Sequence, residues 1–317
     1  MWNNESVDNG VKIKVIGVGG GGNNAVIHII NENVKNIEPY LINTEMGILK
    51  RINYRNVLQI GKETTKGLGA GANEVVGERA ARESKSEIEN ILQNTDMLFV
   101  TAGMGGGTGT GAAPVVAEVA KEMGILTVGF VTKPFMFEGK LRDMRAKAGI
   151  ERLKENVNAL IVILNDNLLK VANKNTPLKE AFFLANDVVK QGIQSITDLI
   201  TTVGQINLDF ADIKTIFSYR GKAYMGIGKA EGELRVKEAV EQAIANPLTE
   251  NTIDGAKGVI FNVTGGENLS LTEIDSAIKV INDKVDDDAN IIFGTVIDEN
   301  LKDEVKVTVI ATGIEEK

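Results

Sequence analysis

The chain has no cysteine and a single histidine among its 317 residues. The first absence excludes disulfides, thiolate catalysis and cysteine-ligated zinc or iron–sulfur centres. The second leaves little support for histidine triads or histidine-ligated metals. His28 lies in the apolar helical pattern Ala25-Val26-Ile27-His28-Ile29-Ile30 and reads as a packed structural residue. Basic residues are in deficit, 35 against 43 acidic, for a net charge of −8 and a pI near 5.0. That balance argues against nucleic acid or an anionic membrane as the main partner, because both need a basic face. No apolar run approaches the about 18 residues of a membrane span, and the polar start Trp2-Asn3-Asn4-Glu5-Ser6 lacks the apolar core of a secretory signal. These absences predict a soluble cytoplasmic protein. Its length exceeds an average domain of about 150 residues, so two domains are expected.

What the chain does have is glycine, 34 in all, with three clusters of it in the first 112 residues. Gly103 to Gly111, reading GMGGGTGTG, follows the apolar run Met97-Leu98-Phe99-Val100 and precedes a helical Ala/Val pattern with Pro114 near its start. Strand, glycine loop and helix N-terminus together hold phosphate through free N–H groups and the positive dipole end. Gly17, Gly19 and Gly22 satisfy G-x-G-x-x-G between a strand at 11–17 and the helix holding His28, with Glu45 placed as an acidic ribose ligand. That match alone is weak, and its own reading is a dinucleotide-dependent oxidoreductase. The third cluster, Gly67 to Asn73, leads into one long helical stretch from about Glu74 to Leu92.

Further strands are expected at Tyr40–Ile42, Val57–Ile60, Leu126–Val131 and Ala159–Leu164. Their alternation with helices fits a doubly wound, mostly parallel α/β sheet. Pro134 places Glu138 near the start of the next helix, with Arg142 four residues on and on the same face. Either the two form an exposed ion pair, or they contact a nucleotide; three phosphate-type loops in the same domain favour contact. One helix is predicted from Leu178 to Thr201, spanning about 36 Å, long enough to bridge two domains. Phe182, Phe183, Asn186 and Asp187 in its first turns are either core or a base-binding set. Asp209 and Asp212 either cap the helix Ala211 to Phe217 or, with Asn207, orient a water. The last hundred residues read as a smaller α+β domain, with strands at Gly258–Val263, Ile291–Val296 and Val305–Ala311 and a helix near Leu271–Val285.

The segments GVGGGGNNAV, NTE, GLGAGAN, GMGGGTGTG, KPFMFEGKLR, AFFLANDVV and GQINLDFAD, in that order, strongly resemble the FtsZ family of bacterial tubulin-like cell-division GTPases from about Lys12 to Gly313. The resemblance implies a tail at 1–10 that is disordered, a GTP-binding domain at 11–177, a central helix at 178–202 and a C-terminal domain at 203–317 carrying the catalytic loop. It also implies a nucleotide site. Gly20, Gly21, Gly22, Asn24 and Asn43 lie along the nucleotide, and Ala70, Gly71, Ala72 and Asn73 approach its terminal phosphate. Gly103, Gly106, Gly107, Thr108, Gly109 and Thr110 cradle phosphates. Glu138 holds the ribose, Arg142 a phosphate and Asn165 the nucleoside, while Phe182 stacks on guanine and Asp187 accepts from its N1 and N2 donors.

By the same resemblance Asp209 and Asp212, supported by Asn207, act on the GTP of the next subunit in a head-to-tail homopolymer. Mg²⁺ is implied, held mainly by phosphates and water. Cell-division proteins are the implied partners, at the division site, with no direct membrane binding and no partner-docking peptide after Lys317. Four positions depart from the family pattern: Val203 and Glu74 replace proline, Lys133 arginine and Glu45 aspartate. The Val203 change is expected to affect hydrolysis more than binding, leaving open a GTP-binding filament protein with weak hydrolysis.

Overall fold

A computed structural model describes residues 10–171, 176–201, 209–298 and 301–314. The tail expected over 1–10 therefore falls outside the described residues except for Gly10, as do Val203 and Asn207. The chain divides into two compact units, and the division falls at Ser195.

In the unit Lys12–Gln194, the strands are β1 (Ile13–Val18), β2 (Glu38–Asn43), β3 (Val57–Gln59), β4 (Met97–Gly103), β5 (Leu126–Lys133) and β6 (Ala159–Leu164). All pair in parallel in the order β3-β2-β1-β4-β5-β6, with Ile16 opposite both Tyr40 and Val100. This is the expected doubly wound sheet, and β1 is buried along its whole length. The order reverses direction between β1 and β4, and open α/β sheets bind ligands beyond the carboxyl ends of strands at such a point. There α1 (Gly19–Asn31) follows β1, and α6 (Thr108–Glu122) follows the loop after β4.

Glycine lets these segments touch. A Cβ on Gly22 would overlap the Thr101 carbonyl, and one on Gly21 would lie 2.9 Å from the Gly103 Cα. Gly111 is equally constrained, because its Cβ would overlap the carbonyl of Glu74, the first residue of α4 (Glu74–Glu83). Pro114 lies in the second turn of α6 rather than the first, because the helix already begins at Thr108. The expected Glu74–Leu92 helix is two, α4 and α5 (Lys85–Leu92). Ser84 breaks them: it is buried, leaves helical ψ, and its Oγ accepts from the Gly61 amide at 3.1 Å. The remaining helices of this unit are α2 (Met46–Arg51), α3 (Lys62–Thr65), α7 (Lys140–Lys154) and α8 (Asn165–Val171). The long helix α9 runs Leu178–Thr201, with the bounds its apolar spacing predicts.

In the other unit, β7 (Lys222–Ala230), β8 (Gly258–Gly265), β9 (Asn290–Ile297) and β10 (Val305–Thr312) pair in the order β7-β10-β8-β9. Strand β10 is antiparallel to both neighbours and β8 is parallel to β9. Helices α10 (Phe210–Phe217), α11 (Arg235–Ile244) and α12 (Leu271–Asn282) complete it. Sequence patterning misses β7 and α11. Gly226 and Gly228 weaken the strand signal, yet they are what lets α11 approach: a Cβ on either would overlap the carbonyl of Ala243 or Ala239.

Arg235 ties this unit's loops together. It is 5% exposed, and its guanidinium donates to Glu273 Oε1 at 2.8 Å, to the Asp303 carbonyl at 3.1 Å and to Asn268 Oδ1 at 3.1 Å. Glu273 also accepts from the Ser270 amide at 2.9 Å, closing the capping box of α12. Burial pushes the Glu273 pKa up, but Arg235 and Ser270 outweigh it and hold the carboxyl below its ordinary value of 4.5. A depressed carboxyl stabilises the fold above its unfolded pKa, and the contribution disappears as pH falls through the folded value. Arg235→Met should therefore destabilise by about 2 kcal/mol at pH 7, because it removes charge-assisted hydrogen bonds from a half-buried carboxylate, and the deficit should shrink below pH 4.5. Urea unfolding at pH 7 and pH 4 checks both.

Candidate nucleotide site

A cavity of about 330 Å³ opens at the carboxyl ends of the parallel strands. Gly21 and Asn24 of α1, Gly103 and Met104 after β4, and Thr132 and Pro134 after β5 line one part of it. Glu138, Arg142, Asn165 at the start of α8, and Phe182, Ala185 and Asn186 of α9 line the rest. Eight residues singled out from sequence are thus brought together: Gly21, Asn24, Gly103, Glu138, Arg142, Asn165, Phe182 and Asn186.

The wall residues are held by ordinary packing and hydrogen bonds. Phe135, 1% exposed, stacks on Phe137 with centroids 4.9 Å apart and meets Phe182 edge-on at 5.3 Å. That support fixes the Phe182 ring while leaving it 40% exposed. Glu138 Oε1 accepts from the Phe135 amide at 3.0 Å and Oε2 pairs with Arg142 Nη1 at 3.1 Å. Asn165 is different: it is 4% exposed, and its Oδ1 is buried without a hydrogen-bond partner. A buried orphan acceptor is costly, and a ligand donor or water in the cavity would satisfy it.

The glycine clusters divide into framework and open positions. Gly22, Gly107 and Gly109 are packed: a Cβ on Gly107 would lie 2.8 Å from Ala70 Cβ and from the Asn73 amide, seating the Gly67–Asn73 loop against it. Asn73 caps α4, its Oδ1 accepting from Val75 at 3.0 Å, while Gly71 and Ala72 adopt left-handed φ of 56° and 58° beside it. Thr110 is buried and accepts from the Gly105 amide at 2.8 Å, and Thr108 shares a hydrogen bond of 2.7 Å with Thr44. Gly20 and Gly106 are not packed, since no atom lies within 4 Å of a Cβ built on either and neither has left-handed φ. Packing gives no reason for glycine there, whereas a bound group lying against the backbone does.

Other sequence-selected residues stand elsewhere. Asn43 is 3% exposed and serves the framework, donating to Asn23 Oδ1 at 2.8 Å. Asp187 is absent from the lining; its carboxylate meets His28, Lys190 and Gln191. Asn186 lines the cavity in its place, and the signal for it was available: Asn186 is four residues after Phe182 and so on its face, whereas Asp187 follows Phe183. Met104, Thr132, Pro134 and Ala185 are further lining residues that the sequence motifs did not single out. Glu45, the ribose candidate of the dinucleotide reading, precedes α2 and bridges to Leu68, away from the lining. In the other unit Asp209 precedes α10, and Asp212 Oδ2 accepts from the Asp209 amide at 3.1 Å.

Among the described residues no helix is long and apolar enough to cross a membrane. The family model of the Tubulin/FtsZ GTPase domain matches residues 12–173, and that of the FtsZ C-terminal domain matches 221–315. An empty FtsZ dimer from M. jannaschii is 44% identical, with a TM-score of 0.89 over 96% of this chain and 89% of that one. A point mutant of FtsZ from M. jannaschii gives 44% identity and a TM-score of 0.88, over 96% and 91%. A CetZ2 protofilament with GTPγS from Haloferax volcanii shares the fold, with a TM-score of 0.84 over 97% and 94% of the chains at 18% identity. The glycine-lined cavity at the switch point of the parallel sheet is thus that of a GTPase domain, and the chain belongs to the Tubulin/FtsZ family.

Proposed function

We propose that this GTPase assembles head-to-tail into cytoplasmic filaments that serve cell division, and that the acidic loop of one subunit completes the hydrolytic site of the next. One observation carries the second half of this reading. Glu138 is the one carboxylate among the described lining residues, and both of its oxygens are engaged, by Phe135 and by Arg142. The cavity can hold a nucleotide but offers no free acid to orient an attacking water, and phosphoryl transfer depends on that placement. Asp209, exposed, and Asp212, partly exposed, are the carboxylates the family resemblance assigns to the task. A subunit that supplies them from one end and receives nucleotide at the other makes a heterologous contact, which propagates as a filament. The 44% identity with FtsZ along 96% of the chain, against 18% with CetZ2, favours the division role.

Within the site, Phe182 stacks on guanine and Asn186 reads its edge. Asn165 satisfies its orphan oxygen on the nucleoside, and Glu138 and Arg142 separate to take ribose and phosphate. Phosphates lie over Gly20 and Gly106. Among the described residues no group of three or more His, Cys, Asp and Glu side chains could hold a metal ion. Mg²⁺ would enter with the nucleotide, held by phosphates and water and neutralising charge there.

Phosphate release and pelleting, measured together across protein concentrations with GTP and with GDP, test the proposal. The rate per subunit should climb with concentration as pelletable polymer appears in GTP. A rate per subunit that stays flat from dilute to concentrated protein would sink the shared site.

A further inference from the structure

His28 is the single histidine of the chain. It lies 7% exposed on α1, one turn beyond the cavity residue Asn24. Its Nε2 donates to Asp187 Oδ1 at 3.1 Å, and its ring meets Phe183 with centroids 4.6 Å apart and planes at 68°. Both partners lie on α9, four residues apart, on the stripe next to Phe182 and Asn186. Lys190 Nζ reaches the same Asp187 oxygen at 2.9 Å, and Gln191 Nε2 reaches the other at 2.5 Å. Burial alone would push the Asp187 pKa up, but Lys190, His28 and Gln191 together hold it below the usual range. The carboxylate is thus committed to protein partners.

The two helices it joins both line the cavity. α1 contributes Gly21 and Asn24 from its first turns, and α9 contributes Phe182, Ala185 and Asn186. Successive residues on a helix are turned by about 100°. A roll of α9 by that angle would bring Asp187 where Asn186 stands and carry Phe182 off the wall. The His28 contacts with Asp187 and Phe183 oppose such a roll, because they grip two consecutive turns of the same stripe.

We propose that His28 is a positioning residue for the base: by gripping Asp187 and Phe183 it fixes the roll of α9, so that Phe182 and Asn186 face the nucleobase. It acts through α9 and does not touch the nucleotide. The inference rests on the guanine-nucleotide reading above, and it concerns the base end of the site alone.

Competition binding with GTP and with inorganic tripolyphosphate, which has no base, separates this role from general support of the fold. The wild-type chain, His28→Leu and His28→Gln are compared. Leucine fills the space without a donor, whereas the glutamine amide nitrogen reaches the position of imidazole Nε2. His28→Leu should weaken GTP about tenfold, the scale of one hydrogen bond to a charged group, and leave tripolyphosphate unchanged. His28→Gln should recover most of the loss. In turnover, KM for GTP should rise by the same factor while kcat at saturation stays within about twofold. Unchanged GTP binding in His28→Leu, or a parallel loss of GTP and tripolyphosphate, overturns the proposal. A wild-type chain that binds neither ligand overturns the nucleotide reading instead, so the two failures are distinguishable.

Discussion

Replacing Asp212 by asparagine should cut GTP turnover by at least about a hundredfold, the usual scale for losing a group that orients or deprotonates a nucleophile, and leave GTP affinity of the single subunit unchanged. The substitution keeps shape and keeps an acceptor at Oδ1. The hydrogen bond that Asp212 receives from the Asp209 amide, 3.1 Å in the structure, survives, and with it the first turn of α10. What disappears is negative charge where water must be polarised. Binding is preserved because the 330 Å³ cavity is lined by residues of the other unit, none of them Asp209 or Asp212.

A mixing experiment sharpens the assignment. Asp212→Asn subunits keep a nucleotide site and lack the acid; subunits crippled in nucleotide binding keep the acid. If the acid acts across the subunit contact, mixtures of two nearly inactive proteins should hydrolyse GTP faster than either alone. Equal loss of binding and turnover in Asp212→Asn, or no gain on mixing, would refute the shared site.

How legible this molecule was in its sequence depended on what each residue answers to. The α/β alternation and the bounds of α9 were readable because apolar periodicity is a local signal that burial enforces. Strand β7 and helix α11 were not. Their close packing demands Gly226 and Gly228, which read as breaks in a strand, and the reason lies in the Ala239 and Ala243 carbonyls that approach them. The break at Ser84 was hidden for a similar reason, since its partner, the Gly61 amide, is distant in sequence. Glu74, where the family pattern has proline, is the first residue of α4. Proline is tolerated there because no intrahelical donor is lost, and an acidic residue suits the dipole, so the departure costs the helix little.

At the site, residue types carried more information than orientations. Asn and Asp at 186 and 187 were both plausible base readers, and only the helix face separates them. Asn43 matched a motif, yet its amide is spent on Asn23. Motifs therefore located the cavity, while the division between residues that build it and residues that face into it had to come from packing.

Alanine at Gly106, and separately at Gly20, should weaken GTP binding by tenfold or more while leaving the thermal midpoint of the nucleotide-free protein within about 1 °C. Alanine at Gly111 should do the reverse and cost about 3 kcal/mol or more of folding stability. The contrast follows from what a methyl group meets. At Gly111 it would overlap the Glu74 carbonyl, part of a backbone that cannot move without separating α4 from α6, and overpacking on that scale is strongly destabilising. At Gly20 and Gly106 it meets no atom within 4 Å, and φ is not left-handed. Alanine there also narrows the unfolded ensemble, which offsets any small loss. The folded protein is therefore indifferent to these two methyl groups, and a ligand is not, because backbone amides can approach phosphate oxygens closely only where no Cβ intervenes. Thermal melting without nucleotide, paired with GTP titration of the same preparations, gives both readings. If Gly20→Ala and Gly106→Ala bind GTP as tightly as the parent, the phosphates do not lie over these glycines. If instead they lose stability in step with affinity, the glycines belong to the framework after all. Loss of affinity at unchanged stability is the outcome that makes the two open glycines the floor of the phosphate site.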